Sequence, residues 1–230
     1  MIPCFLEQLL YPINVTCNNC NSEKVYKYGL CKDCFHSLKI LEGDRCKICK
    51  DRIYTQGLCA ACLEKKPDYT KLYCNYAFTK PMSSLIVSMK ESNKRYLKTH
   101  FAFIALDTID VLDKITLITC VPSSKKRLKK RGYNPPELIA KELSRLTNIP
   151  HDSVLFRKSD TKTSTLNKGE RLKSIKDQFD FNKGIFNETV LLIDDVCTTG
   201  STLRECARIL KKAGAKEVYC FTVARTELRH

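Results

Sequence analysis

Beyond residue 70 the apolar positions switch repeatedly between helical spacing and short continuous runs, and the switching predicts a chain of alternating helices and strands. Leu72–Phe78 reads as a short strand, and Met82–Lys90 and Arg95–Leu112 carry helical periodicity. Ile115–Val121 is a buried strand stopped by Pro122. Pro135–Thr147 is helical, and Ser153–Phe156 is a short strand ahead of a polar, basic stretch at residues 157–174. Val190–Ile193 is a second buried strand, Ser201–Ala213 an amphipathic helix ended by Gly214, and Glu217–Ala224 a third strand. This alternation predicts the α/β class, a mostly parallel sheet flanked by helices, with ligands at the carboxyl ends of the strands.

The first 70 residues lack that rhythm and are organised by cysteine instead. Cys17-x2-Cys20-x10-Cys31-x2-Cys34 is followed by Cys46-x2-Cys49-x9-Cys59-x2-Cys62, with Gly-Leu-Cys opening the second pair of each block. The repeat, offset by 29 and then 28 residues, is an internal duplication. Two thiolates two residues apart can face one ion from a single turn, and a second such turn completes a tetrahedral zinc shell. A saturated four-thiolate shell has no open position, so both sites are expected to be structural Zn2+. Each repeat binding its own ion follows most simply from the duplication; a cross-brace between the repeats is the alternative. With few large apolar side chains, the segment needs metal to supply much of its folding free energy. His36 follows Cys34 but finds the shell already filled. A boundary near Lys65–Asp68 divides the chain into a double zinc-binding domain, 1–69, and an α/β domain, 70–230.

Composition sharpens this division. The apolar fraction of 43% excludes a disordered chain, and no apolar run approaches the length of a membrane span. Met1–Leu10 has no basic n-region, which predicts a short amphipathic element, no membrane insertion and a cytoplasmic location. The net charge of +15 is uneven: residues 1–70 hold 10 basic against 8 acidic residues, and residues 71–230 hold 30 against 17. The excess of +13 in the larger domain points to polyanionic partners, either phosphorylated small molecules or nucleic acid.

The chemistry concentrates at two strand ends. The run Val190–Ile193 enters Asp194-Asp195, and Thr198-Thr199-Gly200-Ser201-Thr202 then opens a helix. Backbone N–H groups of such a turn form an anion cradle; Gly200 permits close approach and the hydroxyls converge on the same space. The carboxylate pair cannot serve the same phosphate, so it is placed for sugar hydroxyls or for Mg2+ through water. A phosphate loop beside a carboxylate pair describes a ribose 5-phosphate site. Neither Gly-x-x-x-x-Gly-Lys-Ser/Thr nor Gly-x-Gly-x-x-Gly occurs, which argues against ATPase and dinucleotide readings. Cys197, inside the loop, raises the question of a redox-sensitive thiol of lowered pKa, although a small filler residue is the simpler reading.

After the strand Ile115–Val121 comes Pro122-Ser123-Ser124-Lys125-Lys126-Arg127-Leu128-Lys129-Lys130-Arg131-Gly132-Tyr133-Asn134, with six basic residues in seven from Lys125 to Arg131. Its position makes it a candidate for a diphosphate or for a nucleic-acid backbone. The interleaving of Tyr133 with the basic residues suits single-stranded DNA, where charge and base stacking combine.

The loop 190–202 matches the phosphoribosyl pyrophosphate (PRPP) signature of type I phosphoribosyltransferases, and from about Cys17 to Arg225 the chain resembles the ComF family. The resemblance implies the type I phosphoribosyltransferase fold behind a small zinc-ribbon-like domain. It implies that Asp194 and Asp195 contact ribose hydroxyls, that Thr198–Thr202 hold the 5-phosphate, and that the turn at Ser123 binds pyrophosphate, with Mg2+ accompanying PRPP. Arg131-Gly132-Tyr133-Asn134 is a ComF hallmark. Residues 157–174, with Arg157, Lys158 and Arg171, stand where type I enzymes carry a lid, although Thr163 and Ser174 depart from the Gln and Asn common in relatives. ComF proteins are associated with DNA uptake in natural transformation, which implies single-stranded DNA and DNA-transport proteins as partners. The alternative is an active PRPP-dependent transferase acting on an unidentified base.

Overall fold

The computed structural model describes residues 16–21, 24–54, 57–158 and 177–227. The expected element at Met1–Leu10 and the lid residue Arg171 lie outside them. The sheet is parallel throughout, in the order β1 (Lys71–Tyr73), β7 (Glu217–Arg225), β6 (Thr189–Cys197), β3 (Leu117–Cys120), with β2 (Tyr76–Ala77) also pairing β7. Because successive side chains of a strand point to opposite faces, β6 and β7 feed two cores. Leu191, Ile193, Phe221 and Val223 enter one; Val190, Leu192, Val218 and Cys220 enter the other.

On the first face lie α3 (Met82–Glu91), α4 (Leu97–Thr108) and α6 (Pro135–Thr147). α4 buries His100, Phe101, Ala102, Phe103, Ile104 and Ala105 in succession, as a helix covered on all sides must. On the second face lies α7 (Ser201–Lys212), which buries Leu203, Cys206, Ala207, Ile209 and Leu210 and leaves Lys211 and Lys212 exposed. A small antiparallel pair, β4 (Leu155–Arg157) with β5 (Phe179–Phe181), stands apart from the main sheet.

The cysteine-rich segment straddles the sheet edge. Cys17, Tyr28, Leu30 and Cys31 of the first repeat join the core on the α4 face; Cys46, Ile48, Cys49, Cys59 and Cys62 of the second join the core on the α7 face. Residues 39–41 cross between them along the edge, where Leu41 N–H donates to Asn75 O at 2.8 Å and Ala77 N–H to Lys39 O at 2.8 Å. This crossing covers backbone groups that an open edge would leave to other chains. Each repeat adds one short helix, α1 (Lys32–His36) and α2 (Ala60–Glu64).

Four local expectations differ from what is found. Leu72–Phe78 is two short strands interrupted at Cys74-Asn75, where the crossing segment takes a hydrogen bond. The helix expected to reach Leu112 stops at Thr108 and is followed by a 3-10 turn, Leu112–Lys114. The basic run Lys125–Arg131 is a helix, α5, capped by the Ser124 hydroxyl, which accepts from Arg127 N–H at 3.3 Å, and closed by Gly132 at φ 76°. β5 had no sequence signal, since three residues pairing with one neighbour are too short to show a period.

Candidate functional site

The eight cysteines form two clusters, Cys17/Cys20/Cys31/Cys34 and Cys46/Cys49/Cys59/Cys62, and within each the sulfurs lie within 4.8 Å of one another. Each repeat therefore builds its own site, and the cross-brace is excluded. The donor set fits zinc: four sulfurs per site, with N–H groups aimed at several of them, as thiolates require. Asn19 Nδ2–H donates to Cys34 Sγ at 3.2 Å, and Asn19 N–H to Cys17 Sγ at 3.4 Å. His36 stacks on Tyr26 and meets the edge of Phe35, outside the sulfur cluster.

The residues expected to form the phosphate loop sit at the carboxyl end of β6. Asp194 and Asp195 end the buried run, and Gly200 (φ 76°) turns the chain into α7. They open on a cleft of about 490 Å3 whose lining includes Ser123, Asn134, Thr198 and Thr202. Four cations, Lys90, Arg127, Arg131 and Arg157, line the cleft against two carboxylates, Asp194 and Asp195, so it carries a positive excess suited to an anion. Thr199 and Ser201 hydrogen-bond to each other at 2.9 Å, fixing the loop between the two lining threonines.

The two aspartates differ in environment. Asp195 accepts from Lys90 Nζ at 2.6 Å. Asp194 has burial and the Asp195 charge against it, and its carboxyl is pushed well above the usual range. The cleft thus holds one aspartate paired with Lys90 beside one whose burial and neighbouring charge favour its protonated form.

The basic segment divides by helix geometry. Arg127 and Arg131, four residues apart, share the face of α5 that lines the cleft with Ser123 and Asn134. Lys125, Lys126, Lys129 and Lys130 are exposed outside it, and Lys130 and Arg131 bond Glu91 at 3.1 and 2.7 Å. Asn134 ties the turn: its Oδ1 accepts from the Ser123 hydroxyl at 2.7 Å while its Nδ2 donates to Val121 O at 3.0 Å. Tyr133 corrects the sequence reading. It is buried, its hydroxyl donates to Met89 O and Arg95 covers its ring at 4.5 Å, so it has no face to offer a nucleobase.

Cys197 is the small buried filler of the simpler reading. Burial pushes its thiol up to about 12, away from the reactive range. Of the residues expected in a lid, Arg157 lines the cleft, bonds Gln178 at 2.5 Å and lies over Phe179 at 5.5 Å; Lys158 pairs with Asp180 at 2.9 Å. Sequence reasoning missed Lys90, Phe179 and Thr226. Thr226, one residue past β7, has a buried hydroxyl without a partner; as the end of a parallel strand it was findable by the same rule that located Asp194.

Comparison with other proteins agrees with this architecture. Residues 129–228 match the phosphoribosyl transferase domain family and residues 6–63 the double zinc ribbon domain family. Competence protein F of Haemophilus influenzae is 30% identical over 225 residues, covering 92% of this chain and 97% of the relative. Competence protein ComFC of Bacillus subtilis is 30% identical, with 86% and 84% covered, and the DNA utilization protein YhgH of Escherichia coli is 27% identical, with 86% and 97% covered. Among solved structures, a purine phosphoribosyltransferase from Pyrococcus horikoshii aligns at TM-score 0.36 and 21% identity over 57% of this chain and 85% of that one. The glutamine PRPP amidotransferase of B. subtilis aligns at TM-score 0.38 and 19% identity over 54% and 25%. No helix among the described residues is long and apolar enough to cross a membrane. With two self-contained Cys4 sites ahead of a type I phosphoribosyltransferase fold, and relatives aligned over nearly their whole length, the chain belongs to the ComF family.

Proposed function

We propose that the cleft binds the ribose 5-phosphate part of PRPP and that the protein serves DNA handling during uptake, as the names of its relatives suggest. The observation that carries the ligand reading is the placement of Asp194 and Asp195 beside Thr198 and Thr202 in a cleft lined by four cations. The loop amides and hydroxyls take the 5-phosphate and the carboxylates take the ribose hydroxyls. Arg127 and Arg131, with the Ser123 turn, receive the diphosphate. Asp194 and Asp195 are the only carboxylates lining the cleft among the described residues, so Mg2+ brought in with the diphosphate would be held through them, directly or through water. The ion would neutralise charge on the pyrophosphate.

Single-strand DNA binding is supported by a different observation, the exposure of Lys125, Lys126 and Lys129 on the outer side of α5. A helix that turns arginines into a phosphate cleft and lysines to solvent presents a second, sequence-tolerant surface to a polyanion. Turnover is supported by Phe78, Phe179 and Thr226, which line the same cleft and offer aromatic and hydroxyl groups to an acceptor.

Calorimetric titration with ribose 5-phosphate and with PRPP plus Mg2+ tests the ligand. Binding by the parent protein that is lost in the Asp194→Asn/Asp195→Asn double variant is the expected result; no binding by a folded, zinc-loaded parent overturns it. Pyrophosphate release from PRPP, measured on the same samples with candidate bases, separates a transferase from a binding protein.

A further inference from the structure

The duplicated zinc sites occupy unequal positions. The first packs against α4, where Tyr28 bonds Asp107 and Lys27 pairs with the same carboxylate at 2.8 Å. The second meets the elements on either side of the phosphate loop. Arg225, the last residue of β7, is 2% exposed. Its Nη1 donates to the carbonyl oxygen of Cys49 at 3.2 Å and to Cys197 Sγ at 2.9 Å, and its Nη2 pairs with Asp51 at 3.0 Å. Arg204, in the first turn of α7, donates through Nη2 to Cys62 Sγ at 3.0 Å and to Ala61 O at 3.4 Å, and through Nη1 to Lys65 O at 2.7 Å.

Two guanidinium groups thus span from the second cysteine cluster to the two ends of the loop. Cys197 ends β6, and a Cβ on Gly200 would lie 3.7 Å from its sulfur, so the atom that Arg225 grips packs directly under the loop. Thr226 N–H, which follows Arg225, donates to Cys197 O at 2.9 Å and fixes the same residue from its backbone. At the other end, Arg204 N–H bonds Gly200 O at 2.9 Å, so the helix turn that forms the cradle carries its own link to Cys62.

We infer that Arg204 and Arg225 are positioning residues through which the second zinc site, and not the first, sets the conformation of the phosphate loop Thr198–Thr202. The duplication supplied two metal sites, and the sheet edge between them gave them different work. The first clamps α4; the second is a buttress under the ligand cradle. A buried guanidinium holds its partners in fixed directions because its donors are planar and its charge must stay compensated. Metal at Cys49 and Cys62 fixes the acceptors, the arginines transmit that position, and the loop is held ready for an anion. Linkage is reciprocal, so a ligand in the loop must act back on the metal site. This inference concerns how the proposed ribose-phosphate site is organised, and its test has one arm that needs no ligand.

Hydrogen exchange at the amides of Thr198–Thr202 is measured in the zinc-loaded parent, in Arg204→Ala and Arg225→Lys, and in Asn19→Ala as the counterpart at the first site. Both arginine variants are expected to retain two metals per chain and to exchange about tenfold faster at the loop, within the usual range of coupling between sites, while Asn19→Ala leaves the loop unchanged. In the cobalt-substituted parent, ribose 5-phosphate should shift the thiolate-to-metal absorption, and the shift should vanish in Arg204→Ala. Unchanged loop exchange in the arginine variants, or equal acceleration in Asn19→Ala, overturns the inference. Should Arg225→Lys fail to fold, the partly exposed Arg204→Ala decides alone. A parent that ignores ribose 5-phosphate counts against the ligand reading only, because the exchange arm still decides the coupling.

Discussion

Lys90 Nζ lies 2.6 Å from Oδ1 of Asp195, joining the last turn of α3 to the tip of β6 across 105 positions of sequence. The pair neutralises one of two adjacent carboxylates in the cleft proposed to accept phosphate. Removing it leaves Asp195 as an unbalanced anion close to the ligand. Lys90→Ala should weaken ribose 5-phosphate binding by about tenfold, in line with the ~1.5–3 kcal/mol of a charge-assisted hydrogen bond, with little loss of thermal stability. Titration calorimetry beside a thermal melt checks both halves.

Asp194 supplies a pH dependence of definite sign. Its folded-state pKa is raised above the unfolded value of about 4. Its contribution to stability is therefore full below that value and is lost as pH climbs through the folded pKa. A ligand that needs the carboxylate form binds with release of a proton, so affinity should rise with pH over the same window. Calorimetry in buffers of different ionisation enthalpy would detect the proton, and Asp194→Asn should abolish its release.

Metal content gives a third expectation. A reduced preparation should contain two zinc ions per chain, and Cys46→Ser should lose one of them. Because both clusters sit in the main cores, stripping the metal should cost several kcal/mol and lower the melting temperature by about 10 °C, at roughly 2–4 °C per kcal/mol. Mass spectrometry under native conditions and differential scanning calorimetry report the two quantities.

The outer side of α5 can be tested apart from the cleft. Lys125 and Lys129 are exposed and do not line it. If they contact a single-stranded DNA backbone, Lys125→Ala/Lys129→Ala should reduce the slope of log affinity against log salt by about 1.4, at ~0.7 per phosphate contact. Ribose 5-phosphate affinity should stay as it is. Fluorescence anisotropy over a salt series decides the first, and an unchanged slope removes these lysines from any DNA surface.

The sequence alone determined whatever depends on spacing along the chain. The Cys-x2-Cys pairs marked both cysteine clusters because a tight turn is a local object, and Asp194–Thr202 stood out as a strand, turn and helix start because the three are contiguous. The parallel strands were legible for the same reason: Val190–Ile193 must be buried on both faces to be apolar throughout. Tertiary structure decided the rest. Which of six basic residues meets the cleft depends on α5 being a helix, and that rests on the Ser124 cap and Gly132 as much as on the run itself. Tyr133 lies among basic residues in sequence, but in the fold Met89 O takes its hydroxyl and Arg95 covers its ring. Lys90 and Arg225 carry no local motif at all, since a lone cation gains a role only from the carboxylate, carbonyl or sulfur that folding brings against it, and no spacing rule encodes a partner 105 or 176 residues away.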